Sequence, residues 1–269
     1  GVGKSLFMCH MASSVLLQGR NVLYITMEMA EEKIAERIDA NLLDIPIQQL
    51  TSPLLTKEKY SSKLLELTKK TQGKLVIKEY PTASAHVGHF KALLNELSMK
   101  KGFSPDIIFV DYLNICASAR YKGTIVNSYT YVKAIAEELR GLAVEFDLPI
   151  VSATQTTRAG FGSTDVDLTD TSESFGLPAT ADFMFALISS EELESQNQIM
   201  VKQLKNRYYD PTLNKRFVVG IDRAKMRLYN VEQEAQSNIH DSGQPITLNQ
   251  ETVKVLTQPS KNKFNDFKF

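Results

Sequence analysis

Short apolar segments rich in Val, Ile and aromatic residues recur along most of the chain, and they restrict the fold more than any other feature. Their apolarity on both sides is typical of strands that are covered on both faces. Segments with helical patterns separate them, and this alternation predicts a mainly parallel sheet flanked by helices, with right-handed crossovers. The predicted strands are Asn21–Met27, Lys74–Tyr80, Asp106–Leu113, Pro149–Gln155 and Asp182–Ile188.

The segments between the strands are predicted to be helices. The first ends at Gly19, a suitable C-cap, and the last follows Ser128, which is an acceptable N-cap. The predicted helices are Ser5–Gln18, Glu31–Leu43, Lys57–Lys70, Val87–Gly102 and a long segment from Ser128 to Phe146.

The pattern changes after Glu191. "QIMVKQLKNRYYDPTLNKRFVVGIDRAKMRLYNV" predicts two or three strands joined by tight turns at "YYDP" and "DRAK". From about residue 232 the sequence is polar, with frequent Gln, Asn and Ser. We therefore expect one domain over residues 1–230 and a flexible tail over residues 231–269.

Composition excludes some classes of protein. No apolar run approaches the roughly 18 residues of a membrane span. Cys9 and Cys116 lie among apolar neighbours and are expected to be buried free thiols in a reducing compartment. The 31 basic residues balance 31 acidic ones, so any contact with nucleic acid must be made by particular loops and not by a generally basic surface.

The chain opens with "GVGKS", and Gly3, Lys4 and Ser5 match the last three places of the phosphate-loop pattern G-x-x-x-x-G-K-[ST]. In such a loop Lys4 would bind terminal phosphates and Ser5 would hold Mg²⁺, while the helix after it offers its N-terminus to the anion. Because the first glycine of the pattern would precede Gly1, we expect the sequence to begin inside the loop of a longer protein. A chance match is the alternative, and the apolar helix that follows argues against it.

Three polar residues lie at the carboxyl ends of predicted strands or directly after them. Asp111 could reach Mg²⁺ or cap the next turn, and Glu28 could polarise an attacking water or be an ordinary first-turn helix acid. Gln155 could sense a terminal phosphate. The carboxyl ends of strands in an open α/β sheet face one crevice, so these side chains are expected to converge.

The "KNR" triplet places two cations on one face of a predicted strand. Lys205 and Arg207 are two residues apart, so both would project in the same direction just before a turn. Such a pair is either catalytic or simply solvated charge at a hairpin tip.

Together these residues resemble the motor domain of the DnaB-type hexameric replicative helicases, a branch of the RecA-like NTPases. The likeness is strongest to the branch from T-even-type bacteriophages and extends from Gly1 to about Tyr229. The segments that carry it are "VGKS", "NVLYITMEMAEEKIAERIDAN", "IIFVDYLNIC", "NSYTYVKAIAEELRGLAVE" and "GLPATADFMFAL". The implied fold is a RecA-like P-loop NTPase domain with a C-terminal antiparallel hairpin.

The resemblance implies a role for each candidate residue. Glu28 takes the position of the catalytic base and Gln155 that of the γ-phosphate sensor, while Lys205 and Arg207 are supplied to the nucleotide of a neighbouring subunit. ATP or another NTP would bind at Gly1, Val2, Gly3, Lys4 and Ser5, with Mg²⁺ at Ser5 and Asp111.

The resemblance also implies partners. We expect a homo-hexamer that binds single-stranded DNA through the loops after Asp111 and Gln155, including Arg120, Lys122 and Arg158. A primase and a helicase loader are expected partners, and the expected location is the cytoplasm, that of a bacterial host for a phage protein. A RecA-type recombinase filament and a nucleotide-binding assembly module without turnover remain the alternatives.

Overall fold

The structure of the chain, a computed structural model, describes residues 3–52, 55–121, 126–155, 176–210, 212–232 and 236. Within these ranges the strands are β1 (Val22–Thr26), β2 (Leu75–Glu79), β3 (Ile107–Asp111), β4 (Ile150–Ser152), β5 (Phe183–Ile188), β6 (Gln198–Asn206), β7 (Arg216–Asp222) and β8 (Arg227–Asn230). The helices are α1 (Lys4–Leu17), α2 (Glu31–Leu43), α3 (Ile47–Leu50), α4 (Lys57–Lys70), α5 (Val87–Lys101), α6 (Ser128–Phe146), α7 (Gly176–Thr180) and α8 (Glu191–Ser195).

Strands β2, β1, β3 and β4 form a parallel sheet in that spatial order. Thr26, the last residue of β1, pairs with Glu79 on one side and with Asp111 on the other. The carboxyl ends of three strands therefore lie together at one edge of the sheet. Every residue of β1 is buried, as the two-sided apolar pattern predicts, and the predicted parallel sheet is confirmed for these four strands.

Alternate residues of the central strands face two different helical layers. On one face Tyr24 stacks on Phe109 at 5.8 Å between ring centroids, and both pack with residues of α1 and α2. On the other face Leu23 and Ile108 pack with residues of α5 and α6. Cys9 and Cys116 are buried free thiols, as predicted, and burial raises the pKa of each to about 12.

The helix bounds follow local capping signals. The predicted bounds of α2 and α4 are confirmed, and α5 ends before Gly102, whose φ of 57° is left-handed. The predicted N-cap of α6 was wrong by one residue. The side chain of Asn127 accepts a hydrogen bond of 2.8 Å from the backbone N–H of Thr130, so Asn127 is the cap and Ser128 is the first helical residue.

Strands β5, β6, β7 and β8 form a separate antiparallel sheet in sequence order. The predicted antiparallel C-terminal part is confirmed, but it is larger than a hairpin because it includes β5, which was wrongly assigned to the parallel sheet. The connection from Ile188 to Gln198 is shorter than the dozen or so residues that a parallel crossover needs, so β5 pairs antiparallel with β6. Two-sided apolarity reveals burial but not strand direction.

The antiparallel sheet packs against the first two helices. The ring of Phe185 in β5 lies 5.1 Å from that of Phe7 in α1. The start of β8 reaches the end of α2, where Arg227 contacts the carboxylate of Asp44 at 2.8 Å. These contacts fix the second sheet beside the helix that begins at Lys4.

The predicted tail, residues 231–269, lies almost wholly outside the described residues. Gln236 is described, and its side-chain amide donates to the carbonyl of Val218 at 2.7 Å and accepts from the N–H of Val218 at 2.9 Å. The domain boundary at residue 230 stays a prediction. Among the described helices, none combines the length and the apolarity needed to cross a bilayer.

Candidate functional site

Gly3 of the predicted phosphate loop leads directly into α1. Gly3 has a φ of 92°, a conformation that favours glycine, and its carbonyl accepts the first helical hydrogen bond, from Phe7, at 2.9 Å. The helix N-terminus that starts at Lys4 and Ser5 suits an anion, because free backbone N–H groups and the helix dipole meet there. Gly1 and Val2 lie outside the described residues.

The ammonium group of Lys4 lies 4.5 Å from the centroid of the Tyr112 ring, in a cation–π contact. Burial lowers the pKa of Lys4, and the charges of Glu28 and Asp111 oppose that shift. Lys4 therefore lies within electrostatic reach of both carboxylates, and Glu28 is exposed. The convergence of Glu28, Asp111 and Gln155 on one nucleotide site stays a prediction.

Asp111 is 1% exposed at the end of β3. Its Oδ2 accepts a hydrogen bond of 2.9 Å from the hydroxyl of Tyr24. Its Oδ1 is buried and has no hydrogen-bond partner among the described residues. A buried carboxylate oxygen without a partner is costly, and Mg²⁺ favours such oxygen ligands, so the chemistry of this atom fits the predicted magnesium site.

Gln155 is connected to Lys4 through the side chain of Tyr112. Its side-chain Nε2 donates to the hydroxyl of Tyr112 at 3.1 Å. Burial raises the pKa of Tyr112, and the charges of Glu28 and Asp111 add to the effect. Tyr112 thus touches Lys4 with its ring and Gln155 with its hydroxyl, and so links the phosphate-loop lysine to the predicted sensor.

Lys205, near the end of β6, and Arg207, which follows that strand, both reach the end of α7. Lys205 Nζ donates to the carbonyl of Pro178 at 2.6 Å, and Arg207 Nη2 donates to that of Ala179 at 3.1 Å. The guanidinium of Arg207 also lies 2.8 Å from Oδ1 of Asp182. Burial lowers the pKa of Lys205, and repulsion from Arg207 adds to the effect.

The loop after β3 is anchored by a buried acid of α6. Glu138 is 9% exposed, and its carboxylate accepts hydrogen bonds from the Ser118 hydroxyl at 2.7 Å and the Ala119 N–H at 2.8 Å. It also accepts from the N–H of Arg120 at 3.2 Å, while the Arg120 guanidinium pairs with Glu137. Lys122 and Arg158, the other predicted DNA contacts, lie outside the described residues.

Sequence reasoning missed four residues that organise these groups: Tyr24, Tyr112, Glu138 and Asp182. A tyrosine inside an otherwise aliphatic strand needs a hydrogen-bond partner, which is a usable signal for Tyr24. Glu138 lies in the apolar stripe of its helix, which is a usable signal for a buried, hydrogen-bonded acid. Nothing in the local pattern marks Tyr112 or Asp182.

Comparison with known proteins extends the resemblance. The family model of the DnaB-like helicase C terminal domain matches residues 1–223. The chain is 46% identical over 264 residues to the DnaB-like replicative helicase of Enterobacteria phage T4, covering 98% of this chain and 54% of that protein. It is 26% identical over 189 residues to the replicative DNA helicase DnaB of Helicobacter pylori strain 26695, covering 69% of this chain and 37% of that protein. The chain thus spans about half, or less, of the length of these relatives.

Two solved structures share the fold. One is an isolated ATPase domain, which superposes with a TM-score of 0.71 at 19% identity, over 86% of this chain and 82% of that chain. The other is a DnaB-like replicative helicase, solved in a study of its interactions with primase. It superposes with a TM-score of 0.71 at 18% identity, over 86% of this chain and 55% of that chain. These matches confirm the predicted RecA-like architecture. With the family model matched over residues 1–223, the chain belongs to the DnaB-like helicase C-terminal domain family.

Proposed function

We propose that the chain is the motor domain of a replicative DNA helicase, which hydrolyses ATP or another NTP to move along single-stranded DNA and separate the duplex. The observation that carries the proposal is the meeting of Lys4, Asp111 and Gln155 around Tyr112 at the carboxyl edge of the parallel sheet. Ligands of open α/β sheets bind at this edge. The family to which the chain belongs supports the same function.

Each residue at the edge has a distinct task. Lys4 and the N-terminus of α1 bind the triphosphate, and Ser5 and Asp111 would hold Mg²⁺, which neutralises charge on the phosphate oxygens when it is bound. The exposed carboxylate of Glu28 orients and deprotonates the attacking water. Gln155 contacts the terminal phosphate, and its bond to Tyr112 carries the presence of that phosphate to Lys4.

Arg207 and Lys205 act on the nucleotide of the next subunit in a hexameric ring. In one protomer both cations contact α7, at the edge of the antiparallel sheet. A cation supplied in trans stabilises the charge of the transition state and contributes about 10³- to 10⁵-fold in rate. Hydrolysis therefore depends on assembly of the ring.

Single-stranded DNA passes through the ring and contacts the loops after β3 and β4. Arg120, Lys122 and Arg158 supply cations there, and backbone N–H groups supply the other phosphate contacts. Local contacts of this kind agree with a net charge of zero. A primase and a helicase loader bind the same assembly in the bacterial cytoplasm, and the solved relative that was studied with primase supports the first of these partners.

The test is phosphate release by the full-length protein, with and without single-stranded DNA, in wild type and Arg207→Ala. We expect the variant to bind nucleotide as the wild type does and to lose DNA-stimulated turnover by at least about 10³-fold. Arg223→Ala removes an exposed arginine from the turn after β7 and is the matched control.

Three results would contradict the proposal. Wild-type turnover in Arg207→Ala rules out a contribution in trans. Absence of phosphate release from the wild-type protein indicates an assembly module without turnover. Electron micrographs of open filaments on DNA, in place of closed rings, indicate a recombinase.

A further inference from the structure

A cluster of three cations and one carboxylate surrounds the end of α7. Arg140 reaches it from α6, and Lys205 and Arg207 reach it from the end of β6. Asp182, which immediately precedes β5, is the carboxylate. Arg140 has no part in the proposed reaction and does not follow from any sequence motif.

Asp182 contacts both arginines through different oxygens. Its Oδ2 accepts a hydrogen bond of 2.7 Å from Nη1 of Arg140, and its buried Oδ1 forms an ion pair of 2.8 Å with Nη1 of Arg207. The backbone carbonyl of Asp182 also accepts from the N–H of Arg207 at 2.9 Å. Asp182 therefore holds Arg207 by backbone and side chain together.

Backbone carbonyls at the end of α7 complete the arrangement. Arg140 Nη1 donates to the carbonyl of Thr180 at 2.9 Å, and Arg207 Nη2 donates to that of Ala179 at 3.1 Å. Last-turn carbonyls have no helical donors and carry the negative end of the helix dipole, so they attract cations. Both Nη atoms of Arg207 thus have fixed partners.

We propose that Asp182 is a positioning residue for Arg207, and that Arg140 in turn holds Asp182 in place. The inference rests on the proposed role of Arg207 in trans and adds the groups that orient it. Asp182 acts through Arg207 and does not itself touch the neighbouring nucleotide.

The physical reason is the flexibility of arginine. A free arginine side chain populates many rotamers and loses this entropy on binding a phosphate. Two fixed partners restrict the guanidinium before the phosphate arrives, so less entropy is lost in the transition state. The Arg207 side chain remains 39% exposed, so an incoming phosphate can reach it without displacing Asp182.

The test is a double-mutant cycle on the full-length protein, with Asp182→Asn, Arg207→Ala and the double variant. Steady-state phosphate release on single-stranded DNA is followed for hours so that residual rates are measured. We expect Asp182→Asn alone to lower kcat about tenfold, with KM and nucleotide affinity within about twofold of wild type. In the Arg207→Ala background the same substitution should have no further effect.

Asp44→Asn is the matched control. Asp44 also bridges two cations, Arg227 at 2.8 Å and Lys225 at 2.9 Å, but it lies at the end of α2. This variant should turn over as wild type. Arg140→Gln is a second probe, expected to lower kcat less than Asp182→Asn and only while Arg207 is present.

The outcomes separate this inference from the proposed function. The positioning role is overturned if Asp182→Asn lowers turnover further in the Arg207→Ala background, or if Asp182→Asn alone turns over as the wild type does. Either result leaves the role of Arg207 intact. Wild-type turnover in Arg207→Ala overturns both. A folding defect in Asp182→Asn appears as lost nucleotide affinity. The double-mutant cycle of Arg140→Gln with Arg207→Ala then decides whether the cluster positions Arg207.

Discussion

The hydroxyl of Tyr24 donates a hydrogen bond of 2.9 Å to Oδ2 of Asp111, a residue 87 positions away in sequence. The two side chains point to the same face of the parallel sheet, because Tyr24 pairs with Phe109 and Asp111 follows two residues later. Burial raises the pKa of Tyr24, so the phenol stays protonated and continues to donate. The bond fixes one carboxylate oxygen, while the other is buried without a hydrogen-bond partner among the described residues.

Tyr24→Phe should therefore destabilise the domain. Oδ2 of Asp111 would lose its partner while buried, and hydrogen bonds to charged groups contribute about 1.5–3 kcal/mol. We expect the free energy of unfolding, measured by urea denaturation, to fall by about that amount. Tyr129→Phe on the exposed side of α6 is the control and should change it by less than about 0.5 kcal/mol. Equal stability of the two variants would show that the bond contributes nothing.

Glu28→Gln should separate nucleotide binding from hydrolysis. The amide cannot accept the proton of the attacking water, and loss of a general base costs about 10²- to 10⁴-fold in rate. We expect full-length Glu28→Gln to form ATP-loaded rings that do not turn over, as seen by nucleotide binding and electron microscopy. Glu32→Gln, an exposed acid in the first turn of α2, is the control. Loss of nucleotide binding in Glu28→Gln would instead assign a structural role to Glu28.

Glu138→Gln should loosen the loop after β3. The amide group keeps one acceptor oxygen where the carboxylate has two, and at present those oxygens serve Ser118, Ala119 and Arg120. We expect the free energy of unfolding to fall by about 1–3 kcal/mol, with weaker single-stranded DNA binding at unchanged nucleotide affinity. Glu145→Gln is the control, because Glu145 is an exposed acid on the same helix as Glu138 and pairs with Lys91 of α5. DNA affinity equal to that of the control would remove this loop from the DNA site.

Stability should decrease as the solution is made acidic, through His10. Its Nδ1 accepts from Asn41 Nδ2 at 3.0 Å and from the N–H of Leu228 at 3.4 Å, so the ring is neutral. Burial lowers the pKa of His10 from its ordinary value of 6.5, and the charge of Arg227 adds to the effect.

A lowered folded-state pKa means that the unfolded chain binds the proton more tightly. The contribution of His10 is therefore complete above pH 6.5 and is lost as the pH falls through the folded-state pKa. We expect the urea midpoint of the wild type to fall more steeply below pH 6.5 than that of His10→Gln, which accepts a hydrogen bond without titrating. Parallel pH profiles would exclude His10 as the cause.

Much of the site follows from local sequence. Lys4 and Ser5 belong to a recognisable loop, and Asp111 and Gln155 follow apolar segments whose carboxyl ends meet in any sheet of this class. The spacing of Lys205 and Arg207 places them on one side of a strand. The partners Tyr112 and Asp182 could not be predicted in this way, because each contacts a residue that is distant in sequence.

The sequence by itself determined the order of the strands and of the five long helices, and it provided the candidate residues of the site. Periodicity, caps and motifs are properties of neighbouring residues, so they can be read along the chain. The tertiary structure alone decided that β5 joins the antiparallel sheet, that Tyr24 supports Asp111 and that Asp182 holds Arg207. These contacts depend on strand register and on the packing of two sheets around α1, which local sequence does not specify.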